Sequence, residues 1–409
     1  MDHQPPKHFN PVPFPYHHEL ELEIVSLTNL GMGIAKSNDW VIMVPYVIPG
    51  EVAVVRIYRN HKNYSEADLV RIVRPSEHRV PPKCEYFGKC GGCQYQHIDY
   101  PKQLEWKRRH VEETFLKIGG IEINAHTPLH ADPIYHYRSK ITPHHQKPRK
   151  GDIGDIGFLS ATSRSRIVDI ETCEIATPEI NEQLAVERLN LRQKARSGKM
   201  KKGSTLLLRH TLEGVTTNHA KVVTERVGEK VFQFKAGDFF QNNPNVLPKM
   251  VDHVIAEAAS TGLPHLIDAY CGSGLFSISA TSRFETCIGI EISETSIQWA
   301  RSNAHLNQIS NCVYQVGDAK EIFQEVAIDA KQSVLIIDPP RKGCDKAFLD
   351  QVAGFRPTSI VYVSCDPATQ ARDVKELISY GYTIANVQPV DLFPQTRHIE
   401  NVVTLHLNK

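Results

Sequence analysis

The cysteine at position 365 lies in a stretch whose residue types could support nucleophilic chemistry. The run Ile360 to Val363 is β-branched and aromatic, which predicts a buried strand, and Ser364-Cys365-Asp366-Pro367 ends it abruptly. This places a thiol at the carboxyl end of a strand, where open α/β sheets carry their chemistry. A single cysteine is more often an inert, buried apolar residue than a nucleophile. The interpretation of Cys365 as a nucleophile therefore depends on the residues around it.

After Pro264 the sequence repeats one pattern, an apolar strand that ends in an acidic residue. The acidic residues at these strand ends are Asp268, Glu291, Asp318 and Asp338. Gly272-Ser-Gly274 follows the first strand and predicts a turn that opens a helix, where the backbone can approach a ligand closely. Glu291 lies 23 residues after Asp268, where Rossmann-like folds place a carboxylate on ribose hydroxyls. Because the long glycine fingerprint of dinucleotide sites is absent, the pattern favours a mononucleoside-like cofactor.

Three cysteines crowd into ten residues in a glycine-rich loop. They have the spacing C-x5-C-x2-C, at Cys84, Cys90 and Cys93, and the only further cysteine before Cys271 is Cys173. Such an array predicts a metal centre, since the glycines allow tight turns that direct backbone N–H groups at sulfur. Zinc and an iron–sulfur cluster both take four thiolates, and the spacing leaves both open.

The whole chain has 409 residues, 47 of them basic and 46 acidic, which predicts two or three domains with no overall charge bias. No window approaches eighteen apolar residues, and the polar, proline-rich start lacks the apolar segment of a signal peptide. We therefore expect a soluble cytoplasmic protein, and we expect it to be a monomer.

The first part of the chain predicts a loose tail over residues 1–16 and then a small β-barrel. Acidic and apolar residues alternate from Glu19 to Ile24, and three further strands are predicted at 40–47, 52–58 and 67–73 around glycine turns. Several short strands in this length suggest a barrel of the OB type, a frequent platform for nucleic acids. A β-module that only packs on its neighbour explains the pattern equally well.

The middle of the chain is its basic part. Helices are predicted from Tyr100 to Ile118 and from Pro178 to Ala195, and from Arg188 to His210 there is no acidic residue. The basic residues that lie close together here are Arg192, Lys194, Arg196, Lys199, Lys201 and Lys202. Such a run is usually a solvated face, but its asymmetry, together with His144 to Lys150, favours a phosphate-binding surface.

Taken together, five motifs resemble those of the RNA uracil-5-methyltransferases that use S-adenosylmethionine, and the resemblance covers nearly the whole chain. The motifs are Phe239-Phe240-Gln241, Asp268-Ala-Tyr-Cys-Gly, Asp338-Pro-Pro-Arg341, Ser364-Cys365-Asp-Pro and His398-Ile-Glu400-Asn-Val. The resemblance implies a multi-domain fold with boundaries in this sequence at 17–74 for a TRAM-like, OB-like barrel, 75–235 for a central α+β domain and 236–409 for a Rossmann-like α/β methyltransferase domain.

The same resemblance implies roles for individual residues. Cys84, Cys90, Cys93 and Cys173 would hold a 4Fe–4S cluster, which decides between the two metals that the spacing leaves open. Cys365 and Glu400 would be catalytic. The residues that would line the S-adenosylmethionine site are Gln241, Tyr270, Glu291 and Asp338, with Asp318 as a neighbour. The presence of both barrel and cysteine array resembles the branch of the family that modifies 23S rRNA more than the tRNA branch, although a tRNA target stays open.

The chemistry explains why these residue types are needed. C5 of uracil is too electron-poor to attack the methyl group of a sulfonium, so a thiolate must first add to C6. A base must then remove the C5 proton before the thiolate can leave, and Glu400 suits this role. The uridine has to leave its base stack to reach such a pocket.

Two other interpretations compete. An adenine or cytosine amino-methyltransferase would need no cysteine and would have an aromatic residue after Asp-Pro-Pro, where this chain has Arg341. An inactive, ribosome-associated RNA-binding factor would be expected to have lost Cys365 or Glu400, and both are present. We therefore predict an active RNA methyltransferase.

Overall fold

The computed structural model describes residues 4–200, 202–317, 323 and 328–408, and the chain forms two compact units. Unit 1 comprises Met1–His110, Phe158–Val168 and Gln395–Arg397, and unit 2 comprises Val111–Gly157, Asp169–Pro394 and His398–Lys409. In the described part of the chain, no helix combines the length and apolar character needed to cross a membrane. The domain boundaries at 74 and 235 stay predictions.

Unit 1 contains the predicted five-stranded barrel. Its strands are β1 (Glu19–Leu27), β2 (Met32–Ser37), β3 (Trp40–Pro45), β4 (Val52–Asn60) and β5 (Tyr64–Arg74). They close in the order β1-β2-β3-β5-β4, with all neighbours antiparallel except β3 and β5. Alternate side chains point inward, so that Ile24, Val44 and Val55 form part of a wholly buried core. The period-2 pattern of the sequence is therefore confirmed as a barrel.

The segment before the barrel, residues 4–18, has no helix or strand. It nevertheless contacts the barrel, because the Asn60 side-chain amide donates to the carbonyl oxygens of Asn10 and Phe14 at 2.7 Å each. After the barrel, α1 (Tyr100–Thr114) continues into a single π-helical turn, Phe115–Gly119.

The middle of the chain is built from short strands around one long helix. In chain order these elements are β6 (Lys140–Ile141), β7 (His144–His145), β8 (Ile156–Ser160), β9 (Ser163–Asp169), α2 (Pro178–Arg196), β10 (Ser204–Thr205), β11 (Leu208–Thr211), β12 (Gly214–Thr216), β13 (Val222–Val227) and β14 (Lys230–Lys235). β7 lies between β8 and β10, β11 lies between β6 and β12, and β13 and β14 form a hairpin. The sequence patterns did not predict these short strands.

The rest of unit 2 is an α/β sheet with helices on both faces. Its elements are α3 (Leu247–Ala259), β15 (His265–Ala269), α4 (Leu275–Ala280), β16 (Thr286–Glu291), α5 (Glu294–Leu306), β17 (Cys312–Val316), β18 (Ser333–Ile337), α6 (Lys346–Phe355), β19 (Ser359–Ser364), α7 (Pro367–Ser379), β20 (Tyr382–Val390) and β21 (Glu400–Leu407). The strand order is β17-β16-β15-β18-β19-β21-β20. β15 to β19 run parallel, whereas β21 is antiparallel to both β19 and β20.

Alternating strand residues build two cores, one on each face of this sheet. Leu266, Val334 and Val361 belong to one core with α3, and Ile267, Leu335 and Ile360 belong to the other with α7. Because both faces are covered, the strands are continuous apolar runs, which is why the sequence identified them readily. The chain reverses direction across the sheet between β15 and β18, which is where open α/β sheets bind ligands.

Candidate active site

The predicted catalytic residues meet at one edge of the sheet. Asp338 directly follows β18, and Cys365 directly follows the neighbouring strand β19. Glu400 is the first residue of β21, which runs antiparallel to β19 with Ser364 opposite Asn401. The start of β21 therefore lies beside the end of β19, although 35 residues separate Cys365 from Glu400 in the sequence.

The electrostatics of this edge show that the groups are close. Burial raises the pKa of Glu400 to about 8, the Asp338 carboxyl adds to the rise, and Arg341 opposes it. Burial also raises the pKa of the Cys365 thiol to about 11, with Glu400 and Asp338 adding and Arg341 again opposing. The pKa of Asp338 rises to about 7, first through burial and then through Asp268. The site thus combines a thiol, two carboxyl groups with raised pKa values and one exposed cation.

A tight turn holds Cys365. Ser364 Oγ donates to the Asp366 carbonyl and accepts from the Asp366 N–H, at 3.1 Å in each case. Asp366 is also the N-cap of α7, because its carboxylate accepts from the Ala368 N–H at 2.9 Å, and Pro367 occupies the first turn of the helix. The sequence Ser-Cys-Asp-Pro therefore encodes a strand, a turn and a helix start within four residues.

The loop that carries Asp338 and Arg341 is fastened to α7, the helix after Cys365. The Asp373 carboxylate accepts from the Cys344 N–H at 2.8 Å and from the Tyr362 hydroxyl at 2.7 Å. Arg372 donates to the Lys342 carbonyl at 3.0 Å. Gly343 has a φ of +74°, and a Cβ there would lie 2.6 Å from the Asp373 carboxylate, so this close approach requires glycine. Neither Asp373 nor Gly343 stood out in the sequence, because their role depends on a contact between distant segments.

The glycine turn lies at the same edge, after β15. The buried Asp268 carboxylate accepts from the Ser277 N–H at 2.8 Å through one oxygen, and its other oxygen is buried without a hydrogen-bond partner in the described part of the chain. Burial raises the pKa of Asp268 to about 7. Gly274 has a φ of +88° and precedes α4. An orphaned buried oxygen beside an open helix start fits a site that a polar ligand completes.

The other predicted cofactor residues take positions around this turn. Tyr270 follows β15 with a left-handed φ of +62°, and Glu291 ends β16 and accepts from the Ser293 N–H at 3.0 Å. Gln241 lies half-buried in the segment between β14 and α3, after an exposed Phe239 and a buried Phe240. Asp318 lies outside the described residues.

The cysteine array falls in both units. Cys84, Cys90 and Cys93 belong to unit 1 and Cys173 to unit 2. The Gly92 N–H donates to Cys90 Sγ at 3.4 Å, and the Cys173 sulfur accepts from the backbone N–H groups of Ile175 and Ala176. Within the described ranges, however, no group of three or more histidine, cysteine, aspartate or glutamate side chains is arranged to hold a metal ion. Burial raises the pKa of the Cys173 thiol, and the two backbone N–H groups oppose that rise only in part, so that the described residues show N–H groups directed at sulfur but no formed metal site.

Two arginines of the basic run, Arg188 and Arg192, face a carboxylate of unit 2. Arg188 is buried and donates to both carboxylate oxygens of Asp169 at 2.9 Å, and also to the carbonyls of Ile156 and Ile170. Arg192 lies 3.9 Å from the same carboxylate. Arg188 therefore anchors α2 inside unit 2, and the inclusion of this residue in a phosphate-binding surface was wrong. Lys201 lies outside the described residues.

Comparison with known proteins gives a consistent picture. The family model described as "tRNA (Uracil-5-)-methyltransferase" matches residues 154–408. A tRNA (uracil(54)-C(5))-methyltransferase of Schizosaccharomyces pombe is 38% identical over 96% of this chain and 79% of its own length. The Saccharomyces cerevisiae protein of the same name is 31% identical over 96% of this chain and 74% of its own length.

One solved structure shares the fold along almost the full chain. It is the Pyrococcus abyssi tRNA (uracil-54, C5)-methyltransferase in complex with S-adenosyl-L-homocysteine, with a TM-score of 0.71 over 94% of this chain and 99% of that chain. Its sequence identity is 24%, so this likeness concerns the fold alone.

Proposed function

Since the chain belongs to the tRNA (uracil-5-)-methyltransferase family and is an RNA (uracil-C5)-methyltransferase that uses S-adenosylmethionine, we propose that its substrate is a uridine of tRNA and that Cys365 and Glu400 carry the reaction. The observation that supports the catalytic assignment is the convergence of Cys365, Glu400 and Asp338 at one sheet edge, where their charges influence one another.

The chemistry assigns one task to each group. The Cys365 thiolate adds to C6 of the flipped uracil, and the electron pair of the C5–C6 double bond moves toward O4 to make C5 nucleophilic. S-adenosylmethionine, when bound, supplies the electrophilic methyl group that C5 takes up. Glu400 then accepts the proton from C5, the double bond re-forms, and the C6–S bond breaks to release the Cys365 thiolate.

The rest of the site prepares this exchange. The positive charge of Arg341 opposes the rise in the pKa of both Cys365 and Glu400. Asp338 is placed between the glycine turn, whose Asp268 affects its pKa, and the thiol. We assign Gln241, Tyr270, Glu291, Asp338 and, among the residues that are not described, Asp318 to the S-adenosylmethionine site. The orphaned Asp268 oxygen and the open turn at Gly274 support this placement.

The names of the relatives favour tRNA as the substrate. Both yeast proteins are named for uracil 54 of tRNA, and each matches 96% of this chain. The expectation of 23S rRNA rested on the combination of barrel and cysteine array, and these names do not favour it. The test is to incubate the protein and labelled S-adenosylmethionine with three RNAs in turn. They are transcribed tRNA, the same tRNA with cytidine in place of uridine 54, and fragments of 23S rRNA. We expect label in the first RNA alone, whereas label in the rRNA fragments with none in tRNA would overturn the proposal.

We further propose that Cys84, Cys90, Cys93 and Cys173 hold a 4Fe–4S cluster with a structural role. The C-x5-C-x2-C array and the backbone N–H groups directed at the sulfur atoms of Cys90 and Cys173 support it. No step of methyl transfer is assigned to the cluster.

A further inference from the structure

One buried arginine in unit 2, Arg209, has guanidinium N–H groups that are not satisfied by hydrogen bonds to the described residues. Arg209 on β11 is 0% exposed, and two of its guanidinium nitrogens, Nε and Nη1, have no hydrogen-bond partner among the described residues. Its third nitrogen, Nη2, donates to the Asp238 carbonyl at 2.9 Å. Burying a cation with unsatisfied donors is costly, so a fold retains one only where other contacts compensate.

The compensation comes from two side chains of the β13–β14 hairpin. The guanidinium lies over the Phe234 ring at 4.9 Å from its centroid. Burial lowers the pKa of Arg209 to about 10, and the Glu225 carboxyl, which is also buried, opposes this lowering. Within the described ranges Glu225 Oε1 has no hydrogen-bond partner either, so the two side chains interact through their charges without a close hydrogen bond. Arg209 is therefore held in place mainly by the ring and the hairpin.

The hydrogen bond from Arg209 to the Asp238 carbonyl lies at the start of the Phe239-Phe240-Gln241 motif. Lys140 Nζ also donates to the Asp238 carbonyl, at 3.4 Å, so two cations converge on one oxygen. Phe240 stacks on Phe234, the same ring that Arg209 covers, with centroids 4.5 Å apart and an interplanar angle of 9°. The Asp238–Gln241 segment is thus fixed both at its backbone and through the Phe240 ring.

The other side of Gln241 is fixed as well. The Ser139 N–H donates to the Asn242 carbonyl, and the Asn243 amide donates to the Leu392 carbonyl, each at 2.9 Å. Gln241 consequently lies between two anchored points only a few residues apart, which leaves its backbone little freedom.

The hairpin that supports Arg209 is itself joined to the glycine turn. Asn303 on α5 is wholly buried and accepts from the Gln233 N–H of β14 at 2.7 Å. Its amide donates to the Ser273 carbonyl, inside the glycine turn, at 3.2 Å. A segment fixed against β14 is therefore also fixed relative to the turn that we assign to the methyl donor.

From these contacts we infer that Arg209 is a positioning residue, which holds the Asp238–Gln241 segment at the distance from the glycine turn that methyl-donor binding requires. The inference rests on the proposed function, because the assignment of Gln241 to the donor site is part of that proposal. Arg209 itself is wholly buried and acts through this segment.

The test compares two buried arginines of unit 2. Arg209→Met keeps an unbranched apolar stem and removes the donor to Asp238, and the matched control Arg188→Met removes the bonds to Asp169. Both should lower the melting temperature. Only Arg209→Met should also raise KM for S-adenosylmethionine and lower kcat, by about tenfold each, since a misplaced binding group affects both constants. Arg209→Lys, which keeps a cation, should recover part of the loss.

A second variant keeps the inference testable if Arg209→Met does not fold. Lys140→Met removes the other donor to the Asp238 carbonyl from a half-buried position, and we expect a severalfold rise in KM for S-adenosylmethionine with a melting temperature close to the wild-type value. Wild-type donor binding and kcat in both folded variants, or equal kinetic losses in Arg188→Met, would overturn the inference. A failure of the proposed function is distinguishable, because the wild-type protein itself would then methylate no tRNA.

Discussion

At the scale of single residues, Cys365 is in an environment that works against its chemistry. The attacking species is the thiolate, yet burial and two neighbouring carboxyl groups raise the pKa of the thiol to about 11. Glu400 must be ionised to accept a proton, and its pKa is raised to about 8. Arg341 opposes both rises, which gives this exposed residue a defined electrostatic role that the motif Asp-Pro-Pro-Arg alone did not reveal.

Replacing Arg341 tests that role. Arg341→Gln removes a positive charge that lowers the pKa of both Cys365 and Glu400, so both pKa values should rise and the ionised forms should appear only at higher pH. Single-turnover methyl transfer at saturating RNA should therefore reach half its maximal rate at a higher pH than in the wild type. Arg341→Lys keeps the charge and should keep the profile. If the rate–pH curve of Arg341→Gln coincided with that of the wild type, this result would contradict the assignment.

Glu400 also makes stability depend on pH. Its pKa is about 8 in the folded chain against an ordinary value of 4.5, so between these values the folded chain binds more protons than the unfolded chain. This group therefore stabilises the fold fully below about pH 4.5, and that contribution is lost as pH rises to about 8. Relative to the wild type, the melting temperature of Glu400→Gln should rise progressively between these pH values.

Glu376 on α7 provides a control, because its pKa is shifted in the direction opposite to that of Glu400. The half-buried Glu376 has a lowered pKa, first through its hydrogen bond with Lys346, so Glu376→Gln should show no gain as pH rises above the acid range. An unchanged difference between Glu400→Gln and wild type at all pH values would mean that Glu400 is not buried as described.

At the scale of elements, the sequence predicted those parts whose pattern is local. The parallel strands are apolar runs with both faces buried, and their acidic or thiol ends mark the edge where the site forms. The small strands β6 to β14 were missed, because strands of two to seven residues that lie partly exposed carry too little periodicity. Arg209, Asn303 and Asp373 were missed for a different reason, since each acts through contacts with segments far away in the sequence.

The helix α2 provides a prediction at this scale. With Arg188 and Arg192 directed at Asp169, the cations that stay available are those near its end, including Lys194, Arg196 and Lys199. The hairpin of Arg149 to Asp152 lies against this end, since a Cβ on Gly151 would be 3.6 Å from Arg196 Cα. Neither segment carries an aromatic residue, which favours contacts with phosphates over stacking with bases.

Replacing Lys194, Arg196 and Lys199 by glutamine should weaken the binding of RNA irrespective of the RNA sequence. The slope of log affinity against log salt should flatten by about 0.7 to 0.9 for each phosphate that the protein no longer neutralises. S-adenosylmethionine affinity should stay unchanged. The matched control neutralises Lys221, Arg226 and Lys235, three exposed cations around the β13–β14 hairpin. An identical salt slope in the two triple variants would show that the end of α2 is only a solvated face.

At the scale of the whole molecule, the cysteine array is the predicted site with the least geometric support. Three of its cysteines belong to unit 1 and one to unit 2, and the described residues form no metal site. Protein purified without oxygen should nevertheless be brown and contain about four irons per chain if four thiolates hold a 4Fe–4S cluster. Cys90→Ser should lose the iron and the visible absorption. Stoichiometric zinc without visible absorption, in anaerobically purified wild type, would contradict the cluster and indicate a zinc site instead.

The central claim is that Cys365 attacks C6 and Glu400 later removes the C5 proton, and trapping the covalent adduct tests it most directly. Glu400→Gln, mixed with S-adenosylmethionine and a uridine-containing substrate RNA, should form a protein–RNA complex that survives denaturant, because the methylated adduct cannot lose its proton. Wild type should be trapped in the same way by RNA with 5-fluorouridine at the target, since a base cannot remove fluorine as a cation. Cys365→Ala should give neither complex and no methyl transfer while it still binds S-adenosylmethionine. A complex that persists in Cys365→Ala, or methylation that survives this change, would contradict the claim.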